Sequence, residues 1–591
     1  LEAYASDLNP VAVMINKAMI EIPPKFANQP PVNPEAREKL INEEWTGAKG
    51  LAEDVRYYGE WMKQEAFKRI GHLYPTVKDE NGEERTVIAW IWTRTVKCPN
   101  PACGCEMPLA NSFALSKKKG REAYIQPVIH NSSISYKVRK GTDLPSPAKI
   151  GRATFRCVCC STSVPSDYVK YEGINKRIGA QLMAIICEGE NGRAYLSPDS
   201  KHIQAANCPK PVNIPDGNLY GKAADQLPLY GFTNFADLFT NRQLNVLSVL
   251  SDIVKEAQEK IEADAIDSGK KNDGLSLLLG GLEAKAYAQA VGVYLAFAVD
   301  RQANYSSSNN TWGGSFIVQV FGRQAIPMVW DYAESNPFSS STGNWLGAID
   351  WIIRVISNFP STGKVGGVAQ QRDAQIDSGL RKIMVSTDPP YYDNICYADL
   401  SDFFYVWMRR TLRDTYPSLF DTLLVPKAEE LVATPWRFGG NRQEARDFFE
   451  KGMLKTFEQI YLCSRKDIPV TVYYAYMQRE NERDSTTSTG WETMLSAIIN
   501  SGFAITGTWP IRTERSGGFR NLEQNALASS IVLVCRKRPK NATICTRRDF
   551  VSALKRELRP ALDDLQASNI APVDMAQSAI GPGMAVYSRY S

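Results

Sequence analysis

The run Lys382-Ile383-Met384-Val385-Ser386-Thr387-Asp388-Pro389-Pro390-Tyr391 decides the fold. Its first six residues are a short apolar run, the pattern of a strand buried in a parallel sheet. The run ends in Asp-Pro-Pro-Tyr, and ligands of open α/β sheets bind outside the carboxyl ends of strands. The four residues suit one task. The Asp388 carboxylate and the Pro389 carbonyl can both accept from a single exocyclic amino group. Pro389 and Pro390 stiffen the turn and carry no N–H of their own. Tyr391 offers a face for a flat base. An aromatic amine is a poor nucleophile because its lone pair is delocalised; two acceptors on its hydrogens favour pyramidalisation and localise that pair for attack on a methyl group. The plainer alternative is a proline-rich turn with a capping Asp.

Working outward, residues 398–412 read as a helix and 469–476 as a strand rich in β-branched and aromatic residues. Thr489-Gly490-Trp491-Glu492 fits a capping box. Trp491, Met494, Leu495, Ile498 and Ile499 then repeat at helical spacing, and Gly502 stands where a helix stops. Residues 503–509 and 530–535 follow as strands, joined by a loop carrying Arg512, Arg515 and Arg520. Alternating strands and helices with a late strand pair predict an α/β fold, a mainly parallel sheet with an antiparallel end. Upstream, residues 2–7 read as a strand ending at Asp7, and a helix is expected from Pro10. Prolines 23, 24, 30, 31 and 34 mark a linker, and 36–72 look helical and charged. Residues 241–300 look mostly helical, with Leu275 to Val299 as a buried helix. Residues 305–345 are rich in Ser, Asn and Gly around an aromatic segment, 321–338.

The chain has 591 residues, enough for several domains or one core with large insertions. Lys and Arg number 69 against 64 Asp and Glu, a net charge of +5. That balance is too mild to demand a nucleic-acid partner, but it leaves room for local basic patches. The three histidines, His72, His130 and His202, are far apart in sequence. This argues against Ser-His-Asp hydrolysis and His-rich metal catalysis. No membrane span or signal peptide is visible, and a cytoplasmic location is expected.

Six of the twelve cysteines fall in two groups: Cys98, Cys103, Cys105 and Cys157, Cys159, Cys160. In a large chain without a secretion signal, such clusters suggest metal rather than disulfides. Cys98 with Cys103, and Cys157 with Cys160, can place four thiolates tetrahedrally on one zinc ion, with Cys105 and Cys159 spare or able to substitute. Four sulfurs leave no open position, so the site reads as structural. Between the groups runs Lys117-Lys118-Lys119-Gly120-Arg121, either a solvated face or a phosphate contact. Arg512, Arg515 and Arg520 could likewise grip phosphates or fill the gap left by an extruded base, or form an exposed loop. The aromatic run 403–407 reads chiefly as core packing.

Ser-Thr-Asp-Pro-Pro-Tyr-Tyr-Asp-Asn at 386–394, continued by Tyr-Ala-Asp-Leu-Ser-Asp-Phe-Phe at 397–404, resembles the amino-methyltransferases of DNA. More narrowly, the chain resembles the zinc-ribbon-containing adenine-specific DNA methylases with a DUF1156 region. The resemblance extends to Ser6-Asp7-Leu8-Asn9-Pro10, Phe321-Gly322-Arg323-Gln324-Ala325, Met328-Val329-Trp330-Asp331 and Asn525-Ala526-Leu527-Ala528-Ser529-Ser530. It implies a Rossmann-like S-adenosylmethionine-dependent methyltransferase core split by a long insertion with a zinc ribbon and helices. It also implies a bacterial or archaeal restriction or anti-phage defence setting, in which ATPase, helicase or nuclease subunits accompany the enzyme. Asp7 matches the acidic residue that chelates the cofactor ribose, although an Asp there could also cap the following helix. Asp373 and Ala374 match the position that touches the cofactor adenine, where a surface loop is the other reading. The Gly-rich cofactor loop would precede Asp7 and is expected upstream of Leu1; Gly280-Gly281 is no substitute.

The expected division is 1–35 as the first part of the core, 36–85 as a helical connector, 86–175 as the zinc-ribbon insertion, 176–364 as a mostly helical insertion, 365–540 as the catalytic part, and 541–591 as a C-terminal extension. The expected reaction is methyl transfer from S-adenosylmethionine to the N6 amino group of adenine in DNA. The N4 amino group of cytosine and an RNA base are alternatives. A non-catalytic DNA-binding subunit of a defence complex is the rival from another class.

Overall fold

A computed structural model describes residues 2–39, 44–79, 81–190, 192–360, 365–392, 395–474, 489–512, 529–567 and 581–590. The chain divides into two compact units. The first comprises residues 1–5, 9–371 and 398–426; the second comprises 6–8, 372–397 and 427–591.

The first unit is built on an antiparallel sheet. Its strands run in the order Gly192–Leu196, Gly179–Gly189, Val87–Lys97, Asp331–Ser335, and Glu106–Pro108 also pairs with Val87–Lys97. Val87–Lys97 is central because Val-Ile-Ala-Trp-Ile-Trp-Thr-Arg-Thr-Val carries β-branched and aromatic side chains on both faces, and all ten are buried. One face packs Ile88 and Ile91 against Phe113, Leu115, Ile125 and Met183. On the other, Trp90 meets Tyr74 and donates its indole N–H to His202 Nδ1 at 3.0 Å. This sheet joins strands on both sides of the boundary expected near residue 175, and three of them lie in the stretch 176–364 expected to be mostly helical. Short apolar runs such as Leu182-Met183-Ala184-Ile185-Ile186 carry no period that separates strand from buried helix.

The helices Lys49–Ile70, Asn241–Asp267, Ala284–Tyr305 and Trp345–Ser357 complete this unit. Asn241–Asp267 starts on a capping box, Thr240 with Gln243. The buried helix expected from Leu275 begins only at Ala284, because turn hydrogen bonds close over residues 276–281. Lys49–Ile70 and Trp345–Ser357 approach closely at Gly59. The Trp345 indole donates to the Gly59 carbonyl at 2.7 Å, and a Cβ there would stand 2.8 Å from the Ile349 side chain. Within the Ser/Asn-rich stretch, residues 306–310 are interior: Ser307 Oγ donates to the Leu238 carbonyl and Asn310 Nδ2 to the Asn304 carbonyl, both at 2.8 Å. Among the described residues no helix is long and apolar enough to cross a membrane.

Two short strands, Tyr4–Asp7 and Val368–Gln371, pair with each other. The N–H groups of Val368 and Arg372 donate to the carbonyls of Ala3 and Asp7 at 2.8 and 3.0 Å. Both chains advance together between these bonds, so the strands run parallel.

The second unit has a four-stranded sheet in the order Ser386–Thr387, Val470–Tyr474, Ser529–Lys537, Phe503–Arg512. The first pair is parallel and the other two are antiparallel. The expected mainly parallel sheet therefore has, among the described residues of this unit, a single parallel ladder beside an antiparallel end. The run from Lys382 is strand only at Ser386–Thr387, with an isolated parallel bridge from Ile383 to Ser464. Helices Arg442–Cys463 and Thr489–Asn500 cover the sheet, packing Phe449, Met453 and Phe457 with Met494 and Ile498 over Val472, Phe503 and Leu533. Gly502, at φ +98°, ends the second helix as expected. The helix Tyr397–Leu412 belongs, from residue 398, to the first unit, and Phe403, Tyr405 and Trp407 on it are fully buried.

Candidate functional site

Two hairpins hold the six grouped cysteines. Val87–Lys97 and Glu106–Pro108 are antiparallel, and the turn between them carries Cys98, Cys103 and Cys105. The Asn100 carbonyl accepts from the Cys103 and Gly104 N–H groups at 3.0 Å. Gly104 supplies the left-handed φ of +57° that tightens this knuckle. The second hairpin, Phe155–Arg156 with Ser163–Val164, carries Cys157, Cys159 and Cys160. Here Ser161 N–H donates to the Cys157 carbonyl and Cys157 N–H to the Thr162 carbonyl, both at 2.9 Å.

The knuckles face each other. Cys98 Sγ lies 3.7 Å from Cys160 Sγ, Cys103 Sγ 3.9 Å from Cys157 Sγ, and Cys105 Sγ 3.4 Å from Cys157 Sγ. The ligand atoms of Cys98, Cys103, Cys157 and Cys160 fall within 4.8 Å of one another, and so do those of Cys103, Cys105, Cys157 and Cys159. This cluster can hold a metal ion. Val96, Met107, Leu109, Phe155, Val164 and Trp330 shield it. Burial pushes the Cys98 and Cys105 thiols up, whereas hydrogen bonding with Thr162 brings Cys160 down to about 6. A bound cation favours the thiolate form at every position. Trp330 and Asp331, which the sequence left without a physical role, support this module. Trp330 packs edge-on against Phe155 and Tyr230, and the Asp331 carboxylate accepts the Asn111 N–H at 2.9 Å.

In the second unit, Asp388-Pro389-Pro390-Tyr391 directly follows the C-terminal end of Ser386–Thr387. Asp388 is exposed, Pro389 buried, and Pro390 and Tyr391 lie between. The Tyr391 hydroxyl donates to Asp388 Oδ1 at 3.1 Å. Surrounding protein raises the Asp388 pKa, and the bond from Tyr391 opposes that shift. Although its residue surface is open to solvent, its carboxylate is therefore partly desolvated. The Pro390 carbonyl accepts the Tyr392 N–H at 3.2 Å, and Tyr392 takes a left-handed φ of +48°. Tyr391 stands edge-on to Tyr474 at 5.5 Å, and Tyr474 stacks on Trp491 at 5.2 Å and 12°. The Tyr397 pKa is raised by burial and by the charges of Asp388 and Glu430. Tyr474, Trp491 and Tyr397 are additions to the site that sequence reasoning missed: in one dimension they are only apolar-face residues.

Asp7 is exposed, and its carbonyl accepts the Arg372 N–H, which puts it beside the residue preceding Asp373. The helix cap is Asn9, whose side chain accepts the Val11 N–H at 3.0 Å. Asp373 Oδ1 accepts the Gln375 N–H at 2.8 Å, so that carboxylate braces its own loop, with Ala374 exposed beside it. Lys117, Lys118, Lys119 and Arg121 are exposed on the turn between strands Ala114–Ser116 and Ala123–His130. Arg512 ends the Phe503–Arg512 strand, while Arg515 and Arg520 lie outside the described residues. No family model, curated protein or solved structure matches the chain.

Proposed function

We propose that this protein is an S-adenosylmethionine-dependent DNA methyltransferase acting on the N6 amino group of adenine, with a structural zinc centre on its cysteine knuckles. One observation carries the reading. Asp388-Pro389-Pro390-Tyr391 sits at the carboxyl end of a strand in a parallel ladder, next to the aromatic surface of Tyr391, Tyr474 and Trp491. The sheet of the second unit offers a Rossmann-like core one parallel ladder, Ser386–Thr387 with Val470–Tyr474, beside an antiparallel end.

In this reading a base extruded from the duplex stacks on Tyr391. The Asp388 carboxylate and the Pro389 carbonyl accept from its amino hydrogens; the neighbouring Pro390 carbonyl is already engaged by Tyr392. Partial desolvation makes Asp388 a stronger acceptor and lets a carboxylate oxygen take up the proton that the amine sheds. S-adenosylmethionine, when bound, supplies the electrophilic methyl group. Asp7 suits its ribose, since Asp7 is exposed at a strand end and the capping role belongs to Asn9. Asp373, held to Gln375, fits less directly as a contact for the adenine. The four-sulfur donor sets suit zinc and leave no position for a catalytic water. Lys117, Lys118, Lys119 and Arg121 are the phosphate contacts in this reading. The resemblance to the zinc-ribbon-containing adenine-specific DNA methylases supports a defence setting with accessory subunits, and a cytoplasmic location suits an enzyme acting on DNA.

The test is transfer of labelled methyl from S-adenosylmethionine to DNA, with the methylated base then identified by mass. N6-methyladenine is the expected product. N4-methylcytosine would change the substrate, and label appearing only in RNA would change its class. A protein that binds DNA but never transfers methyl would make the chain a binding platform.

A further inference from the structure

The cysteine cluster has more sulfur than one ion can use. Two tetrads each meet the distance requirement, and they overlap in Cys103 and Cys157. The first adds Cys98 and Cys160; the second adds Cys105 and Cys159. Each knuckle therefore contributes one shared thiol and two unshared ones. With a zinc–sulfur bond of about 2.3 Å, the edge of a tetrahedral site is about 3.8 Å. The Cys98–Cys160 and Cys103–Cys157 separations, 3.7 and 3.9 Å, match that edge, and Cys105–Cys157 at 3.4 Å is slightly tight. A single ion satisfies one tetrad and leaves the outer pair of the other idle, although Cys98 and Cys105 are equally sequestered, at 4% and 1% exposure.

We propose that the two tetrads are occupied together, as a binuclear zinc centre in which the thiolates of Cys103 and Cys157 bridge the ions. Cys98 and Cys160 complete one coordination sphere, and Cys105 and Cys159 the other. Two tetrahedra sharing the Cys103–Cys157 edge use all six sulfurs. Six thiolates and two divalent ions leave a net charge of −2, less than the −4 that six thiolates would carry around one ion. The inference rests on reading the cluster as a metal site, and the metal count separates its failure from that of the site itself.

Protein purified without chelators and analysed by plasma mass spectrometry should contain two zinc ions per chain. One zinc per chain overturns the binuclear centre and leaves the single structural site standing; none overturns both. The double variant Cys105→Ser, Cys159→Ser should keep one ion, and so should Cys98→Ser, Cys160→Ser. Cobalt substitution of the unaltered protein needs no variant to fold. Bridging thiolates should couple the two ions antiferromagnetically, so the magnetic moment per cobalt falls below that of an isolated ion. Two ions without such coupling would overturn the bridging role of Cys103 and Cys157.

Discussion

At the scale of single residues, the proposed chemistry turns on Asp388. It lies on an exposed strand end rather than in a core, so Asp388→Ala should cost little stability. Methyl transfer should fall by about 10²-fold or more, the usual scale for a positioned polar group at a reacting centre. DNA affinity should persist, because phosphate contacts supply most of it. A filter-binding titration run beside the transfer assay checks both. Tyr391→Ala should cost about 1–3 kcal/mol of base stacking, read as weaker binding of a single-stranded oligonucleotide. The Asp388 pKa is raised in the fold and the carboxylate is the active form, so transfer should decline as pH falls through that raised value. Asp7→Ala should weaken S-adenosylmethionine binding about tenfold or more, measured by calorimetry. Unchanged donor affinity would remove Asp7 from the cofactor site.

Between elements, two buried polar groups tie the first unit together. Arg242, on the helix Asn241–Asp267, meets Glu334, on the strand Asp331–Ser335, with Nη2 to Oε2 at 2.6 Å and both side chains buried. The guanidinium also donates to the Leu73 carbonyl at 3.1 Å and lies 3.9 Å over the Trp90 ring. Removing one partner strands a buried charge. Arg242→Met should therefore cost about 3–5 kcal/mol in denaturant unfolding, and replacing both partners by apolar residues should recover much of it. Asp54, on Lys49–Ile70, accepts from the N–H groups of Val32 and Asn33 at 2.8 and 3.0 Å and from the Tyr287 hydroxyl at 2.5 Å. Burial nevertheless pushes its pKa up to about 6 from 3.8. The folded state thus holds this proton more tightly than the unfolded chain. Its contribution is complete below about pH 4, is lost as pH rises through about 6, and amounts to about 3 kcal/mol. The stability gap between the parent and Asp54→Asn should accordingly narrow from pH 4.5 to pH 7 in urea titrations.

At the scale of the whole molecule, each unit has its own core, so metal loss should act on one unit alone. Stripping the cysteine centre should speed amide exchange in the hairpins around 98–105 and 157–162, and in the layer of Val96, Met107, Phe155 and Trp330 packed on them. The second unit, whose core is Val472, Met494, Ile498, Phe503 and Leu533, should exchange as before. Equal loss of protection in both units would show that the centre stabilises more than its own module.

Local signals alone placed a helix from Pro10, helical structure within 241–300, a helix over 398–412, the stop at Gly502, and strands over 469–476 and 503–509; the structure has Asn241–Asp267, Tyr397–Leu412, Val470–Tyr474 and Phe503–Arg512 there. In each case a cap, a glycine or a sustained period acts within a few residues. The grouping of the cysteines was also legible, because metal ligands come as short spacings on tight turns. The antiparallel sheet was not. Gly179–Gly189 and Asp331–Ser335 are strands because each finds Val87–Lys97, far away in sequence, and pairing of that kind leaves no local period. The sharing of Cys103 and Cys157 between two tetrads, and the row of Tyr391, Tyr474 and Trp491 behind Asp388, likewise depend on distances across the fold. Spacing along a chain fixes which side chains can share a turn; only tertiary packing decides which turns face each other.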